Sequence, residues 1–254
     1  MANSVPTRSG DRLCGGPRRR PRLPYSAAVS KLYFRYAAMN AGKSTALLQV
    51  AYNYEERGMR VRLFTAAHDD RMGRGLIGSR LGLTRVADTF GAFTSFDRAG
   101  LEGPPPNAQS TVQSTAQRSE PSSGQRNAQA NRLACVLIDE AQFLTPVQVR
   151  QLHRMAHAEH LPVICFGLRS DFRGVAFAGS AMLMTLADDI EEMKTICACA
   201  RKATMNIRID AAGRRVQDGE QIEIGGNERY RAVCPSCFYA DDEGGAERAP
   251  GLFG

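Results

Sequence analysis

Residues 36–45 read YAAMNAGKST, and this stretch decides the fold. It overlaps the end of LYFRYAA at 32–38, an apolar and aromatic run with the composition of a strand. It leads into STALLQVAYNYEERG, which carries apolar residues at helical spacing and stops at Gly58, a good helix terminator. VRLFTAA at 61–67 is a second strand candidate. A strand, a glycine-lysine-serine turn, a helix and a strand in this order predict a βαβ unit with a phosphate-binding loop.

The lysine turn (residues 37–44) has the last three elements of such a loop but departs from it at the first position. Backbone N–H groups of the loop point at phosphate oxygens, the lysine adds a charge and the serine hydroxyl ligates Mg²⁺. Gly42, Lys43 and Ser44 supply the last three elements, whereas Ala37 stands where a glycine is expected. Its methyl group is tolerable if φ is negative and costs on the order of 1 kcal/mol if φ is positive. We predict a loop that is weakened or slightly reshaped rather than abolished.

A second apolar run ends in two acids. LACVLIDE at 133–140 is typical of a strand buried on both faces of a parallel sheet. An aspartate there can hold Mg²⁺ through water, so Asp139 is the predicted carboxylate on the metal side. Glu140 is the predicted general base, because burial beside an apolar strand raises a carboxyl pKa toward the working pH. Alone, the two acids could simply begin a solvated loop, but the lysine turn upstream favours the catalytic interpretation.

Further strands and helices alternate along the chain. TPVQVRQLHRMAHAEH predicts a helix with Thr145 as its N-cap and Pro146 at the first helical position. LPVICFGL at 161–168 predicts another buried strand. The alternation predicts an α/β fold, a parallel sheet with helices of the P-loop NTPase type, over residues 31–196.

Several segments are predicted to lie outside regular structure. Residues 1–30 form a basic extension, 103–131 a disordered insertion rich in Pro, Gln, Ser and Asn, and 239–254 a disordered tail. The segment DDRMGRGLIGSRLGL after His68 has no clear period and is predicted to be a mobile loop, and the stretch 86–96 could hold one more short element.

The charge and hydropathy of the chain argue against two classes of partner. The net charge is +7, but the first 31 residues hold seven basic side chains against one acid, so the excess belongs to the extension and a nucleic-acid partner is unlikely. No run approaches the roughly 18 to 20 apolar residues of a membrane span. The first 30 residues lack the apolar run of a secretory signal and only weakly resemble a transit peptide. We predict a soluble, cytoplasmic protein.

Four of the seven cysteines fall in two close pairs. Without an export signal, metal binding is favoured over disulfides. Four thiolates suit tetrahedral Zn²⁺, and a structural site can hold a module that lacks a core of its own. RKATMNIRID and GEQIEIGG, which lie between the pairs, predict short antiparallel strands, hence a small zinc-binding module at 197–238. Reduced cysteines without a ligand remain the alternative. The four residues are Cys197, Cys199, Cys234 and Cys237.

Three histidines share one face of the helix predicted after Thr145. His153, His157 and His160 are spaced at i, i+4 and i+7 and could bind a metal. Since no acid complements them in the sequence, a solvated helix face is the prediction.

In order, these runs resemble the cytosolic, zinc-containing (type II) thymidine kinases. The resemblance covers about residues 31–238 without the insertion. It rests on LYFRYAAMNAGKSTALLQVAYNYEERGM, HDDR, SRLGL, IDEAQFL, CFGLRSDFRG, TICACARKA, and IGGNERY followed by CPSC. The sequence departs from the family where Ala37 and Ala200 replace usual glycines, and where the insertion replaces a short connection.

The resemblance implies transfer of the γ-phosphoryl group of ATP to the 5′-hydroxyl of thymidine or deoxyuridine in nucleotide salvage, with Mg²⁺ and a structural Zn²⁺, by a homotetramer. It makes Glu140 the general base and places the four paired cysteines on zinc. The positions it assigns to ATP and Mg²⁺ are Ala37, Ala38, Met39, Asn40, Ala41, Gly42, Lys43, Ser44, Asp69, Arg71, Asp139 and Gln142. The positions it assigns to the nucleoside are Phe177, Gln221, Ile222, Glu223, Ile224, Gly225 and Tyr230, most of them in a loop, the lasso, whose stem zinc fixes.

Two alternatives stay open. One is a catalytically weakened relative, which Ala37 favours. The other is a P-loop ATPase acting on nucleic acid, with the cysteines in a zinc ribbon. That protein would need arginine or aromatic motifs along a groove of the folded region, whereas the arginine cluster lies in the extension.

Overall fold

The computed structural model describes residues 30–69, 71–102, 133–221 and 229–240. The predicted insertion at 103–131 lies outside these ranges, as do nearly all of the predicted extension and tail. The order and extent of those segments therefore stay predictions. The first two residues assigned to the tail instead complete a short helix, Pro235–Ala240.

The described elements alternate between strands and helices through most of the chain, as predicted. In chain order they are β1 (Leu32–Tyr36), α1 (Lys43–Glu56), β2 (Arg60–Ala66), β3 (Leu76–Gly78), β4 (Thr84–Val86), β5 (Asp88–Phe90), α2 (Arg98–Glu102), β6 (Leu133–Ile138), a 3-10 turn (Ala141–Phe143), α3 (Pro146–Ala158), β7 (Val163–Gly167), α4 (Ala178–Leu186), β8 (Asp189–Glu192), β9 (Met205–Ile209), β10 (Arg215–Val216), β11 (Tyr230–Val233) and α5 (Pro235–Ala240). None of the helices in the described ranges has the length and apolar character needed to cross a membrane.

Six strands form one parallel sheet in the order β5-β2-β6-β7-β1-β8. The α/β prediction is confirmed. Because all strands run the same way, their carboxyl ends meet at one edge, which is where open α/β sheets bind ligands. The lysine turn leaves the sheet after β1 and the two acids leave it after β6, with β7 between them. The topology therefore brings two segments that are far apart in sequence to the same edge.

An apolar core covers each face of this sheet. On one face α3 and α4 contribute Leu152 and Leu183, which pack with Phe34 and Ile138 of the strands. On the other face α1 contributes residues such as Leu47 to a second cluster. The strands β6 and β7 are buried on both sides, which explains their continuous apolar sequence.

Helix α3 begins as its sequence predicts. Thr145 is the N-cap, its hydroxyl accepts a hydrogen bond from the backbone N–H of Gln148, and the Gln148 side chain accepts one from the N–H of Thr145. Pro146 occupies the first helical position. This capping box fixes the start of the helix and hence the direction in which the chain leaves the acids.

The prediction of a mobile loop after His68 is wrong for part of that segment. β3 and β4 pair antiparallel as a hairpin, and Ile77 of β3 packs into the core beside α1. Arg85 of β4 donates two hydrogen bonds to the Glu55 carboxylate, at 2.8 and 2.6 Å. Strands of three residues are too short to show a hydrophobic period, so only their packing against α1 reveals them. The short element expected at 86–96 is β5, at the edge of the main sheet.

The chain after residue 196 holds a second, smaller sheet, in which β9 lies within the predicted RKATMNIRID strand, whereas most of the strand predicted in GEQIEIGG lies outside the described residues. β10, β9 and β11 make a three-stranded antiparallel sheet. Its apolar cluster contains Ile207, Ile209 and Val233 together with two of the paired cysteines. We call residues 196–240 the cysteine module.

Candidate active site

A cleft of about 900 Å³ lies at the carboxyl edge of the main sheet. Its walls come from the connections that follow β1, β6 and β7 and from the β3–β4 hairpin. Lys43 and Glu140 both line it, together with Ser44 and Asp139. The structure therefore brings the lysine turn and the acid pair into one cleft, which is the spatial arrangement that the sequence interpretation requires.

Residues 39–44 of the lysine turn face the cleft, at the start of α1. Gly42 adopts a left-handed conformation with φ of 79°, and α1 begins directly after it without a side-chain cap. The first turn of the helix therefore offers N–H groups that an anion could bind. Lys43 Nζ donates to the carbonyl of Ala38 at 3.1 Å, and burial lowers the pKa of Lys43, although the carboxylates of Glu140 and Asp139 oppose this shift.

Ala37 does not introduce the backbone strain considered in the sequence analysis. It is buried at the end of β1, and its N–H donates to the carbonyl of Gly167 at 3.3 Å. The non-glycine residues with positive φ in the described chain are Asn40, Glu140, His160 and Ala200, so Ala37 is not one of them. Its methyl group therefore carries no left-handed penalty, and the expected weakening of the turn loses its physical basis.

Asp139 connects the acid pair to the lysine turn. Its Oδ2 accepts a hydrogen bond from Ser44 Oγ at 2.7 Å, and its Oδ1 accepts one from the backbone N–H of Glu140 at 3.0 Å. Burial, with the charge of Glu140 as the second cause, raises the pKa of Asp139 to about 7. A hydroxyl and a carboxylate in contact offer the oxygen ligands that Mg²⁺ prefers, so these two residues fit the ion.

Glu140 is held in a fixed orientation. Its backbone has φ of 52°, a left-handed conformation at the start of the 3-10 turn, and such strained positions cluster at functional sites. Arg71 Nη2 donates a short hydrogen bond to one carboxylate oxygen, and Gln142 Nε2 donates to the other at 2.5 Å. The Gln142 Oε1 accepts from the backbone N–H of Leu168 at 3.0 Å. Gln142 thus lies behind Glu140 and anchors it to the end of β7, while its predicted contact with ATP stays a prediction.

Two arginines add positive charge to the cleft. Arg71 joins the acids, because its Nε also donates to Asp69 Oδ1 at 2.5 Å, and this hydrogen bond raises the pKa of Arg71. Arg80, in the turn of the β3–β4 hairpin, donates to Asn40 Oδ1 at 2.6 Å. Arg80 was not predicted to belong to the site, because the sequence around it predicts a mobile loop rather than a hairpin. The signal available was its place in the SRLGL run.

One aromatic ring contacts the predicted nucleoside position Phe177, and a second ring packs behind it. Phe177 is buried and meets Phe143 edge-on with ring centroids 5.8 Å apart, and Phe143 meets His68 at 4.1 Å. Phe143 and His68 were not predicted, although both lie within quoted motifs. Of the predicted lasso, Gln221 Nε2 donates to Asp171 Oδ2 at 3.2 Å, and Tyr230 begins β11. Ile222, Glu223, Ile224 and Gly225 lie outside the described residues.

The two cysteine pairs come together in the cysteine module. The four ligand atoms of Cys197, Cys199, Cys234 and Cys237 lie within 4.8 Å of one another. Hydrogen bonds from the backbone and side chain of Arg201 lower the pKa of Cys199 to about 6, whereas burial raises that of Cys237 to about 12. A bound cation favours the thiolate at every position. Four thiols this close could hold a metal ion.

Backbone strain in the cysteine module lies at Ala200. This residue has φ of 64°, and its N–H donates to the carbonyl of Cys197 at 2.9 Å. The N–H of Cys197 donates to the carbonyl of Arg201 at 2.8 Å. The tight turn around the first cysteine pair therefore requires a left-handed residue, and alanine is strained there.

The histidine face has an acid partner that the sequence did not reveal. His157 Nε2 lies 3.0 Å from Asp188 Oδ2, and the rings of His153 and His157 have centroids 4.6 Å apart. Asp188 also accepts a hydrogen bond from the backbone N–H of Leu32 at 2.8 Å. The statement that no acid complements these histidines is therefore wrong, because Asp188 reaches α3 only through the fold.

A parallel sheet that carries a lysine turn and two buried acids in one cleft has the fold and the site residues of an α/β phosphotransferase. The sequence model of the family described as Thymidine kinase matches residues 30–99 and 107–238. The chain is 55% identical to a thymidine kinase of Albidiferax ferrireducens over 216 residues, which are 85% of this chain and 95% of the relative. It is 53% identical to one of Chromobacterium violaceum over 213 residues, 84% of this chain and 100% of the relative. It is 46% identical to one of Escherichia coli O157:H7 over 207 residues, 81% of this chain and 89% of the relative. The chain belongs to the thymidine kinase family.

Proposed function

We propose that the protein phosphorylates thymidine, or deoxyuridine, by transferring the γ-phosphoryl group of ATP to the 5′-hydroxyl, a step of nucleotide salvage. Membership of the family supports the reaction. The observation that carries the proposal is the meeting of Lys43, Ser44, Asp139 and Glu140 in one cleft. Phosphoryl transfer requires positioning and charge neutralisation more than covalent chemistry, and these residue types supply both.

The lysine turn is the proposed triphosphate site. The uncapped start of α1 presents N–H groups and a positive helix end to phosphate oxygens, and Lys43 adds a charge. Ser44 Oγ and the Asp139 carboxylate would hold Mg²⁺, which when bound neutralises the charge of the triphosphate. Lys43 exchanges its contact with the Ala38 carbonyl for a phosphate oxygen when ATP binds.

Glu140 is the proposed general base. As the 5′-hydroxyl oxygen attacks the γ-phosphorus and the bond to ADP breaks, the carboxylate takes the hydroxyl proton. The hydrogen bonds from Arg71 and Gln142 keep both carboxylate oxygens oriented. Orientation matters because proton transfer requires a heavy-atom approach near hydrogen-bond distance.

Phe177 and the lasso are the proposed nucleoside site, on the strength of the family resemblance. Phe143 and Phe177 form an edge-to-face pair in the connections that follow β6 and β7, an apolar surface of the kind that packs against a nucleobase. The paired cysteines fit a structural Zn²⁺, which would fix the stem of the lasso through residues on both sides of it. The homotetramer and the cytoplasmic location stay predictions of the same resemblance.

Of the two alternatives, the weakened relative rested on Ala37. Since Ala37 is not among the described residues with positive φ, backbone strain at Ala37 gives no reason to expect weakened activity. The nucleic-acid alternative depended on the basic extension, which lies outside the described residues. Neither has an observation in its favour.

A coupled kinase assay against the four deoxynucleosides, with ATP and Mg²⁺, tests the proposal. We expect turnover of thymidine and none above background with deoxyadenosine or deoxyguanosine. Deoxyuridine, assayed in a separate run, should also be phosphorylated. Lys43→Ala, which removes the charge of the lysine turn, should abolish the signal. Phosphorylation of none of the nucleosides, or of a purine nucleoside alone, would overturn the assignment.

A further inference from the structure

Strand β9 of the cysteine module reaches the lysine turn. Asn206 Oδ1 accepts a hydrogen bond from the backbone N–H of Met39 at 2.7 Å, across 167 positions of sequence. Asn206 is only 3% exposed, and its Nδ2 lies 3.5 Å from the carbonyl oxygen of Ser170. A buried amide that contacts two other segments has little freedom to rotate. One corner of the lysine turn is therefore attached to the cysteine module.

The same face of β9 carries a second buried polar side chain. Residues two apart in a strand point to the same face, so Arg208 lies on the side of Asn206. Arg208 donates to the carbonyls of Glu220 at 3.1 Å and Asp218 at 2.9 Å. Its guanidinium stacks over the ring of Phe172, 4.0 Å from the centroid. One face of β9 thus contacts the lysine turn through Asn206 and the chain at 218–220 through Arg208.

Gly219 allows this close approach of the chain to Arg208. Its φ is 128°, and a Cβ atom there would lie 2.3 Å from Arg208 Nη2. Only a glycine fits at that point without moving the guanidinium. The segment continues to Gln221, the first residue of the predicted lasso. β9 thus contacts both the lysine turn and the segment that leads to the start of the predicted lasso.

We propose that Asn206 is a positioning residue through which β9 fixes the lysine turn for the triphosphate. This inference rests on the proposed function, because it takes ATP as the ligand of the lysine turn. Without the acceptor on Asn206, the N–H of Met39 loses its partner. The turn then relaxes toward another acceptor and displaces Asn40 to Gly42, which line the cleft. A small displacement of these residues costs affinity for the phosphates.

Asn206→Leu tests this, because leucine keeps the size of the side chain and removes the acceptor. We expect the KM for ATP to rise about tenfold, which corresponds to about 1.4 kcal/mol, with kcat and the KM for thymidine within about twofold. Hydrogen exchange of the Met39 amide should accelerate, since its acceptor is gone. Steady-state kinetics with each substrate varied in turn, and exchange followed by NMR, supply the two readouts.

Ile207→Ala is the matched control. Ile207 is the next residue of β9, lies on the opposite face and is buried in the apolar cluster of the module. Its truncation lowers stability but keeps the bond to Met39, so the KM for ATP and the exchange of the Met39 amide should stay unchanged. If Ile207→Ala raised the KM for ATP as much as Asn206→Leu, Asn206 would have only a structural role.

Asn206→Ser covers the case in which the leucine variant does not fold. Serine leaves room for water beside Met39, so we expect a smaller rise in the KM for ATP and a measurable acceleration of exchange. Unchanged exchange at residues 37–44 in this variant would overturn the proposal. The exchange readout needs no turnover. A wild-type protein without thymidine kinase activity would thus refute the proposed function, while exchange would still decide whether Asn206 holds the turn.

Discussion

The main sheet and the cysteine module hold their functional residues by different means. Among the described residues, twenty buried side chains cover one face of the sheet and eleven the other. The cysteine module has a cluster of seven, two of which are cysteines. At roughly 0.8 kcal/mol for each buried methylene group, burial contributes far more to the stability of the sheet than to that of the module.

This difference explains where each region tolerates strain and charge. The sheet supports left-handed Asn40 and Glu140, a buried Lys43 and an Asp139 with a raised pKa, all at the cleft. The module places its strained residue, Ala200, in the turn of a cysteine pair that a metal could fix. A large core can offset an unfavourable site, while a small unit depends on a metal-ligand bond.

The largest expected effect is the loss of the metal from the cysteine module. Cys237→Ser should lower the metal content from about one ion per chain to near zero, because structural Zn²⁺ contributes on the order of 10 kcal/mol to folding. Metal analysis of the purified protein and limited proteolysis of residues 197–238 measure this. The main sheet should keep its own melting transition. Cys14→Ser, a cysteine outside the two pairs, is the control, and a folded, metal-free and active wild-type protein would contradict the prediction.

The second effect belongs to the cleft alone. Glu140→Gln should reduce kcat by about 10² to 10⁴, the usual contribution of a general base, and leave ATP binding within a few-fold. Single-turnover kinetics and nucleotide titration separate the two quantities. Glu56→Gln, on the exposed side of α1, removes a charge of the same kind far from the acids and should have no effect. Retention of most of the rate by Glu140→Gln would remove Glu140 from the role of base.

The third prediction concerns the free-energy cost of ionising the buried carboxyl group of Asp139. Because the folded pKa of Asp139, about 7, lies above its ordinary value of 3.8, ionising this group destabilises the fold, a cost absent near pH 4 and complete above pH 7. Asp139→Asn should therefore stabilise the ligand-free protein by on the order of 1 to 3 kcal/mol at pH 8 and by little at pH 4. Thermal unfolding at both pH values tests this. Ser44→Ala removes a hydrogen bond that favours the ionised carboxylate, so it should have the opposite sign and destabilise the protein more at pH 8 than at pH 4.

The smallest effects compare the two alanines that replace family glycines. Ala200→Gly should stabilise the protein by about 0.5 kcal/mol, because relief at φ of 64° exceeds the added entropy of the unfolded chain. Ala37→Gly should destabilise it by about 1 kcal/mol, because no strain is relieved and a buried methyl is lost. Chemical denaturation of the two variants gives the sign directly. A destabilising Ala200→Gly or a stabilising Ala37→Gly would contradict the backbone conformations assigned to the two turns.

Local signals predicted those parts of the fold in which neighbours in sequence are also neighbours in space. The boundaries of α1, the capping box of α3 and the apolar runs of β6 and β7 follow from periodicity, caps and composition. No element was predicted for residues 178–192, where the structure has α4 and the edge strand β8. Their fit depends on packing against α3 and pairing with β1, which no local pattern encodes.

The candidate site divides in the same way. Lys43, Ser44, Asp139, Glu140 and the four cysteines were named from residue type and spacing, because a phosphate loop and a metal site require those chemical groups in that order. Arg80, Asp188 and Asn206 were not, because each acts through a partner distant in sequence.

The sequence by itself determined the chemistry of this protein, since the identity and spacing of its charged and sulfur-bearing residues are written directly in the chain. Only the tertiary structure decided which departures from the family pattern strain the backbone and which distant residues are in contact. The sign of φ at Ala37 and Ala200, the acid beside His157 and the attachment of Met39 to β9 depend on how distant segments pack. The whole fold determines backbone conformation and long-range hydrogen bonds, because each local conformation must be compatible with the packing of segments that are distant in sequence.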